Sequence, residues 1–117
     1  MSTTEADCIF CRIVAGEIPA TVVHRTATTV AFRDANPQAP THVLVVPRTH
    51  VANAAELADV EPGTMSDLVT AAAAVAHEDG LGSDYRLVFN TGAGAGQTVF
   101  HAHLHLLGGR SLAWPPG

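Results

Sequence analysis

Apolar residues recur along the chain with two periods, and the switches between them divide it into elements. Met65, Leu68, Val69, Ala72, Val75 and Ala76 follow one another at three- and four-residue spacing, the period of an amphipathic helix. Thr64-Met65-Ser66-Asp67 reads as a capping box at its start, and Gly80 marks its end. A shorter helix of about two turns is expected over Cys8-Ile9-Phe10-Cys11-Arg12-Ile13-Val14, capped by Asp7, stopped by Gly16 and Pro19, and turning Ile9, Ile13 and Phe10 inward. Residues 28–34 and 42–47 are β-branched and apolar, and the turn-like Asn36-Pro37-Gln38-Ala39-Pro40 between them makes a β-hairpin with a longer loop. Residues 85–90 read as a strand, 91–97 as a loop and 98–107 as a further strand. The expected fold class is therefore α+β: an antiparallel meander sheet with one short N-terminal helix and one longer helix.

Composition keeps that picture within one domain, residues 1–117, with a flexible tail at 1–6 and an irregular, proline-rich tail at 111–117. A hydrophobic fraction of 47% and a charged fraction of 15% belong to an ordinary globular protein, and no apolar run approaches a bilayer span. The polar start Met1-Ser2-Thr3-Thr4-Glu5-Ala6-Asp7 does not look like a secretory signal, so a cytoplasmic protein is expected. The formal net charge is −5, and the six basic residues are all Arg, scattered without forming a patch. Nucleic acid and membrane are therefore disfavoured as partners, and an anionic substrate would have to be held by local donors.

The candidate chemistry lies in His101-Ala102-His103-Leu104-His105. On a strand, alternate side chains share a face, which puts the three imidazoles together and leaves Ala102, Leu104 and Leu106 to the core. Such a row either binds a metal with an open coordination position, or offers one neutral imidazole as a nucleophile with its neighbours supporting it. The preceding loop favours the nucleophile: Gly92, Gly94 and Gly96 free the backbone to turn successive N–H groups toward an anion. Neither a dinucleotide-binding nor a P-loop spacing is present.

His101-Ala102-His103-Leu104-His105-Leu106-Leu107 resembles the signature of the histidine triad (HIT) superfamily. The runs Asp7-Cys8-Ile9-Phe10-Cys11-Arg12-Ile13, Gly16-Glu17-Ile18-Pro19-Ala20, Pro37-Gln38-Ala39-Pro40-Thr41-His42, Gly96-Gln97-Thr98-Val99-Phe100 and Trp114-Pro115-Pro116-Gly117 are similar to its Hint branch, which hydrolyses purine nucleoside phosphoramidates. The resemblance implies a HIT-like homodimer that turns adenosine 5′-monophosphoramidate and its relatives into AMP-type products, with no cofactor in catalysis. By resemblance His103 is the nucleophile, supported by His101, His105 and His42. Asp34 would hold the ribose hydroxyls, and Asn90, Gly96, Gln97 and Thr98 would surround the phosphate. Phe10, Ile13, Ile18 and Phe32 would line the base pocket, where Ala35 replaces the bulkier aliphatic residue common in the family. Trp114 would lie in a tail that crosses the dimer interface. The alternative readings are a dinucleoside polyphosphate hydrolase and a nucleotide-binding regulatory or scaffold protein with little turnover.

Cys8 and Cys11 stand one helical turn apart, so both sulfurs can face one point, as metal ligands, buried thiols or a redox pair. The resemblance implies the first of these: a Cys₂His₂ structural zinc site completed by His50 and His101, closed to catalysis. His24 and His77 are expected at the surface.

Overall fold

The computed structural model describes residues 5–117, so most of the expected N-terminal tail lies outside the described residues. Its elements are α1 (Ile9–Val14), β1 (Val22–Arg25), β2 (Thr29–Arg33), β3 (Thr41–Pro47), α2 (Ala54–Val60), α3 (Pro62–Glu78), β4 (Tyr85–Val88) and β5 (Leu104–Gly108), with a 3₁₀ turn at Ala93–Ala95. All five strands pair antiparallel in the order β1-β2-β3-β5-β4. The α+β class and antiparallel sheet are as expected. The order departs from a simple meander, because the β4–β5 hairpin returns with its second strand against β3.

That inversion puts the histidine-bearing strand beside the most buried strand of the sheet. Every residue of β3 is buried, since both sheet faces are covered. On one face Ala31, Val43, Val45, Leu104 and Leu106 pack under Leu57 of α2 and Leu68, Ala72 and Val75 of α3. On the other, Val30, Phe32, Leu44 and Val46 meet Phe10 and Ile13 of α1. Burial of side chains on this scale, at roughly 1.5–3 kcal/mol each, is what fixes the register.

Several local expectations are corrected. Cys8, not Asp7, caps α1, its Sγ accepting from the Cys11 amide at 3.4 Å. Ile9 is turned outward, 46% exposed, because Phe10, Cys11 and Ile13 occupy the inward side. Helix α3 begins two residues before Thr64: Pro62 supplies the pre-set first turn, and the Thr64 hydroxyl donates back to Glu61 at 3.0 Å. Val69, expected on its apolar face, is 45% exposed.

The strand expected over 98–107 starts only at Leu104. Its partner explains this, since β3 pairs Val45 with Leu104 and ends at Pro47, which has no N–H to extend the ladder. Upstream of Leu104 the chain is instead held by the Ala102 amide on the Val51 carbonyl, at 2.8 Å. The alternation of faces survives without the ladder: Ala102 and Leu104 are buried in the α3 side of the core while His101 and His103 turn the other way, toward α1.

Candidate active site and metal centre

His103 stands at the end of that irregular segment, 8% exposed, with its Nδ1 2.7 Å from the carbonyl of His101. A carbonyl only accepts, so Nδ1 carries the proton and Nε2 is left with its lone pair. The ring rests edge-on against Phe10, centroids 5.0 Å apart, and Phe10 in turn meets Phe32 at 5.5 Å.

His105 is set by a second chain of donors. The Gln38 amide donates to His42 Nδ1 at 3.0 Å, so His42 carries its proton on Nε2 and donates to His105 Nδ1 at 2.9 Å. His105 is therefore protonated on Nε2, and that buried atom has no partner among the described residues. Burial, and then repulsion from His103 and His42, push the His105 pKa down to about 4, with Asp34 pulling weakly upward. Burial also lowers His42, against the pull of Asp34, whose Oδ2 lies 3.4 Å from its Nε2.

Both triad rings open onto one cavity of about 540 Å³ between α1 and the α1-side face of the sheet. Its apolar walls include Phe10, Ile13, Ile18 and Phe32, with Asp34 at the end of β2 and Thr98 and Val99 at the opposite edge. Arg33 borders it as well, but its guanidinium is held by Asp79 at 2.6 and 3.0 Å. A larger hollow of about 680 Å³ lies between the start of β4 and the C-terminal tail and has no histidine on its walls.

Other expected site residues fall elsewhere. Part of the glycine loop closes on itself, so three of its amides are turned away from an anion: those of Ala95 and Gln97 donate to the Gly92 carbonyl, and that of Gly96 to Ala93. Gly92 and Gly96 are needed for that turn, with φ of +87° and +96°. Gln97 is buried and wholly engaged by the backbone, accepting from the Gly92 amide and donating to the carbonyls of Ala52 and Val99. Asn90, Gly96 and Gln97 are not on the cavity wall, and neither is Trp114, which is 82% exposed. His42, expected to support His101 or His103, bonds instead to His105, because β3 sets it beside that residue's strand; what sequence reasoning missed is the Gln38 amide behind it, whose signal was the Gln-Ala-Pro-Thr-His run of the hairpin.

Behind the triad, Cys8, Cys11, His50 and His101 bring four ligand atoms within 4.8 Å of one another. The Cys8 and Cys11 sulfurs lie 3.4 and 3.5 Å from His101 Nδ1, Cys11 Sγ is 3.4 Å from His50 Nδ1, and the two Nδ1 atoms are 3.2 Å apart. Zinc bonded tetrahedrally at its usual Zn–S and Zn–N lengths separates its ligands by about 3.3–3.8 Å, so this donor set fits the ion. The outer contact is also in place: His101 is fully buried and its Nε2–H donates to the Pro47 carbonyl at 2.9 Å, leaving Nδ1 as the lone pair. Burial pushes His101 down to about 4 and raises the Cys11 thiol.

Asp34, His42 and His105 form a second such group. Here the proton on His42 Nε2, fixed by Gln38, occupies the position a metal would need.

An antiparallel α+β sheet carrying two tautomer-fixed histidines in a cleft, backed by a closed Cys₂His₂ group, defines a protein of the histidine-triad class. The chain belongs to the HIT family, whose domain model matches residues 15–112. A HIT family hydrolase from Legionella pneumophila has a TM-score of 0.90 and 48% identity over 95% of this chain and 100% of that one. A histidine triad nucleotide-binding protein from Candida albicans has a TM-score of 0.81 and 31% identity over 93% of this chain and 83% of that one. A 14 kDa zinc-binding protein of Zea mays is 43% identical over 93% of this chain and 87% of its own length. Among the described residues, no helix is long and apolar enough to cross a membrane.

Proposed function

We propose that the protein hydrolyses the P–N bond of purine nucleoside 5′-phosphoramidates, adenosine 5′-monophosphoramidate among them, through a nucleotidyl intermediate on His103. The observation that carries this is the pairing, on one cavity, of a lone pair on His103 Nε2 with an unpartnered donor on His105 Nε2. Such a pair suits an electrophilic, anionic centre, and phosphorus with its oxygens is one.

The base would lie against Phe10, Ile13, Ile18 and Phe32, and the ribose hydroxyls would donate to Asp34, whose Oδ1 also accepts from the Asn36 amide at 2.8 Å. Purine size suits the apolar walls, and exposed Ala35 leaves one side open. His103 Nε2 forms a bond to phosphorus as the P–N bond breaks. The amine leaves with a proton taken from solvent and relayed through the Thr98 hydroxyl, and His105 donates to a phosphoryl oxygen as its charge grows. Water then forms a P–O bond and gives up a proton to solvent by the same route, the bond to Nε2 breaks, and a nucleoside monophosphate is released. Asn90 and the Thr98 amide would donate to the phosphate oxygens beside His105, and Gly96 and Gln97 would act through the turn and segment they brace.

The same reading includes zinc at Cys8, Cys11, His50 and His101 as a structural ion, no catalytic cofactor, and a cytoplasmic homodimer. A large apolar Trp114 in a tail with little to bury it supports the dimer, which sedimentation at several concentrations tests.

The function is tested by incubating the protein and His103→Ala with adenosine 5′-phosphoramidate, following AMP release and acid-labile label on the chain. Turnover and labelling by the unaltered protein alone are expected. Full activity of the variant refutes the nucleophile. Cleavage of a dinucleoside polyphosphate in preference to the phosphoramidate would assign the leaving group to another nucleotide, and binding without turnover of either would make the chain a nucleotide-dependent scaffold.

A further inference from the structure

His101 belongs to two constellations at once. Its Nδ1 faces the two cysteines and His50, while its backbone carbonyl accepts the proton that fixes His103. Helix α1 is shared in the same way: Cys8 and Cys11 point to the metal centre, and Phe10 between them lies against His103, His101 and Phe32. The helix has six residues, too few to be stable alone, and its cap is itself a member of the cluster, Cys8. Nor is residue 103 held by a strand ladder, which begins at Leu104.

We infer that the Cys8–Cys11–His50–His101 cluster is a positioning device for the nucleotide site, so that ion occupancy sets both the orientation of His103 and the placing of the Phe10 wall. This rests on the proposed function only for what the site binds. With the four donors drawn to one ion, α1 is tied to the loop after β3 and to the His101 backbone. With the ion removed, the thiols and imidazoles are joined to one another by contacts of 3.2–3.5 Å rather than by metal bonds, and α1 retains the Cys8 cap and the burial of Phe10, Cys11 and Ile13. Helices α2 and α3 lie across the sheet from the cluster and should not register its state.

The test compares the zinc-loaded protein, the same protein after chelation, and the chelated protein with zinc restored, in three measurements: AMP affinity by calorimetry, the ¹⁵N-resolved Nδ1–H signal of His103, and amide exchange along α3. If the binding-competent arrangement falls to about one molecule in ten without the ion, AMP binds about tenfold more weakly. The His103 Nδ1–H signal then loses its protection while α3 exchange is unchanged, and zinc restores both. His50→Ala, which leaves α1 and the triad intact in composition, should reproduce the metal-free behaviour. An AMP affinity unchanged within about twofold, with an unaltered His103 signal, overturns the inference. So does loss of α3 protection alongside, since the ion would then support the whole fold and not the site, and so does failure to retain zinc. Absence of phosphoramidate turnover by the loaded protein counts against the proposed function alone, because the His103 signal still reports the coupling.

Discussion

Nε2 of His42 lies 2.9 Å from Nδ1 of His105, and the direction of that hydrogen bond is settled on the far side of His42, where the Gln38 amide donates to Nδ1. One backbone N–H on the β2–β3 loop thus determines which nitrogen of a triad histidine can donate to substrate. His42→Ala removes the link and lets the His105 proton reside on either nitrogen. Turnover should fall roughly 10²-fold, the scale of a misplaced proton donor, with little change in KM for the nucleotide. Steady-state kinetics check this, and an unchanged kcat would show that His105 needs no such support.

The same relay predicts an unusual acid limb. Both rings must be neutral to pass the hydrogen bond along, and burial, the largest influence on each, lowers both pKa values from the ordinary 6.5, that of His105 to about 4. Neutral rings are favoured by the fold, so their contribution to stability is complete above pH 6.5 and disappears as pH falls through about 4. An NMR titration of the His105 ring should show its midpoint near the lower value. A midpoint near 6.5 would mean that the ring is solvated and the relay is absent.

Much of this arrangement was legible in the sequence because it is written in local chemistry. The 3.6-residue period of α3, the β2–β3 hairpin and the two runs that bring Cys8, Cys11 and the triad into view all depend on near neighbours. Element β1 was missed because four residues with a bulge between Val22 and His24 carry too little alternation to register. Helix α2 had a signal that went unused: Asn53 caps it by accepting from the Glu56 amide at 2.9 Å, the two ends of a capping box. The late start of β5 and the closed glycine turn were not legible. The first depends on Pro47 standing opposite the would-be ladder, and the second on hydrogen bonds from Gly92 to residues three to five positions on. Tautomers are further still from sequence, since each is decided by the geometry of a single contact: the Gln38 amide for His42, His42 for His105, and backbone carbonyls for His101 and His103.

Asp79, at the end of α3, ties that helix to the sheet through Arg33 of β2, at 2.6 and 3.0 Å, and the Thr41 hydroxyl of β3, at 2.9 Å. The Arg33 hydrogen bonds lead the influences that lower its pKa below the ordinary 3.8; the Thr41 bond and the Arg33 charge add to them, and burial opposes. Its stabilising contribution is therefore present above pH 3.8 and lost as pH falls below it. Asp79→Asn should cost roughly 1–2 kcal/mol at neutral pH, the lower end reflecting a guanidinium that is partly solvated, and should flatten the acid dependence of stability. Urea unfolding near neutrality and at low pH measures both. Equal losses for variant and parent on acidification would place the acid-sensitive group elsewhere.

Gln97 separates two roles that the glycine-rich loop could have. Both of its amide protons go to carbonyls, Ala52 at 2.7 Å and Val99 at 3.0 Å, and its oxygen takes the Gly92 amide at 2.9 Å. The side chain thus joins the loop after β3, the glycine turn and the cavity wall, and has no valence left for a phosphate. Gln97→Glu keeps the acceptor but sets a carboxylate against two carbonyl oxygens. A destabilisation of roughly 2–3 kcal/mol is expected, accompanied by a fall in kcat as Thr98 and Val99 lose their support. A residue that touched substrate would show the opposite division: normal stability in urea and a raised KM. Measuring both on the one variant distinguishes a brace for the triad segment from a ligand to the nucleotide.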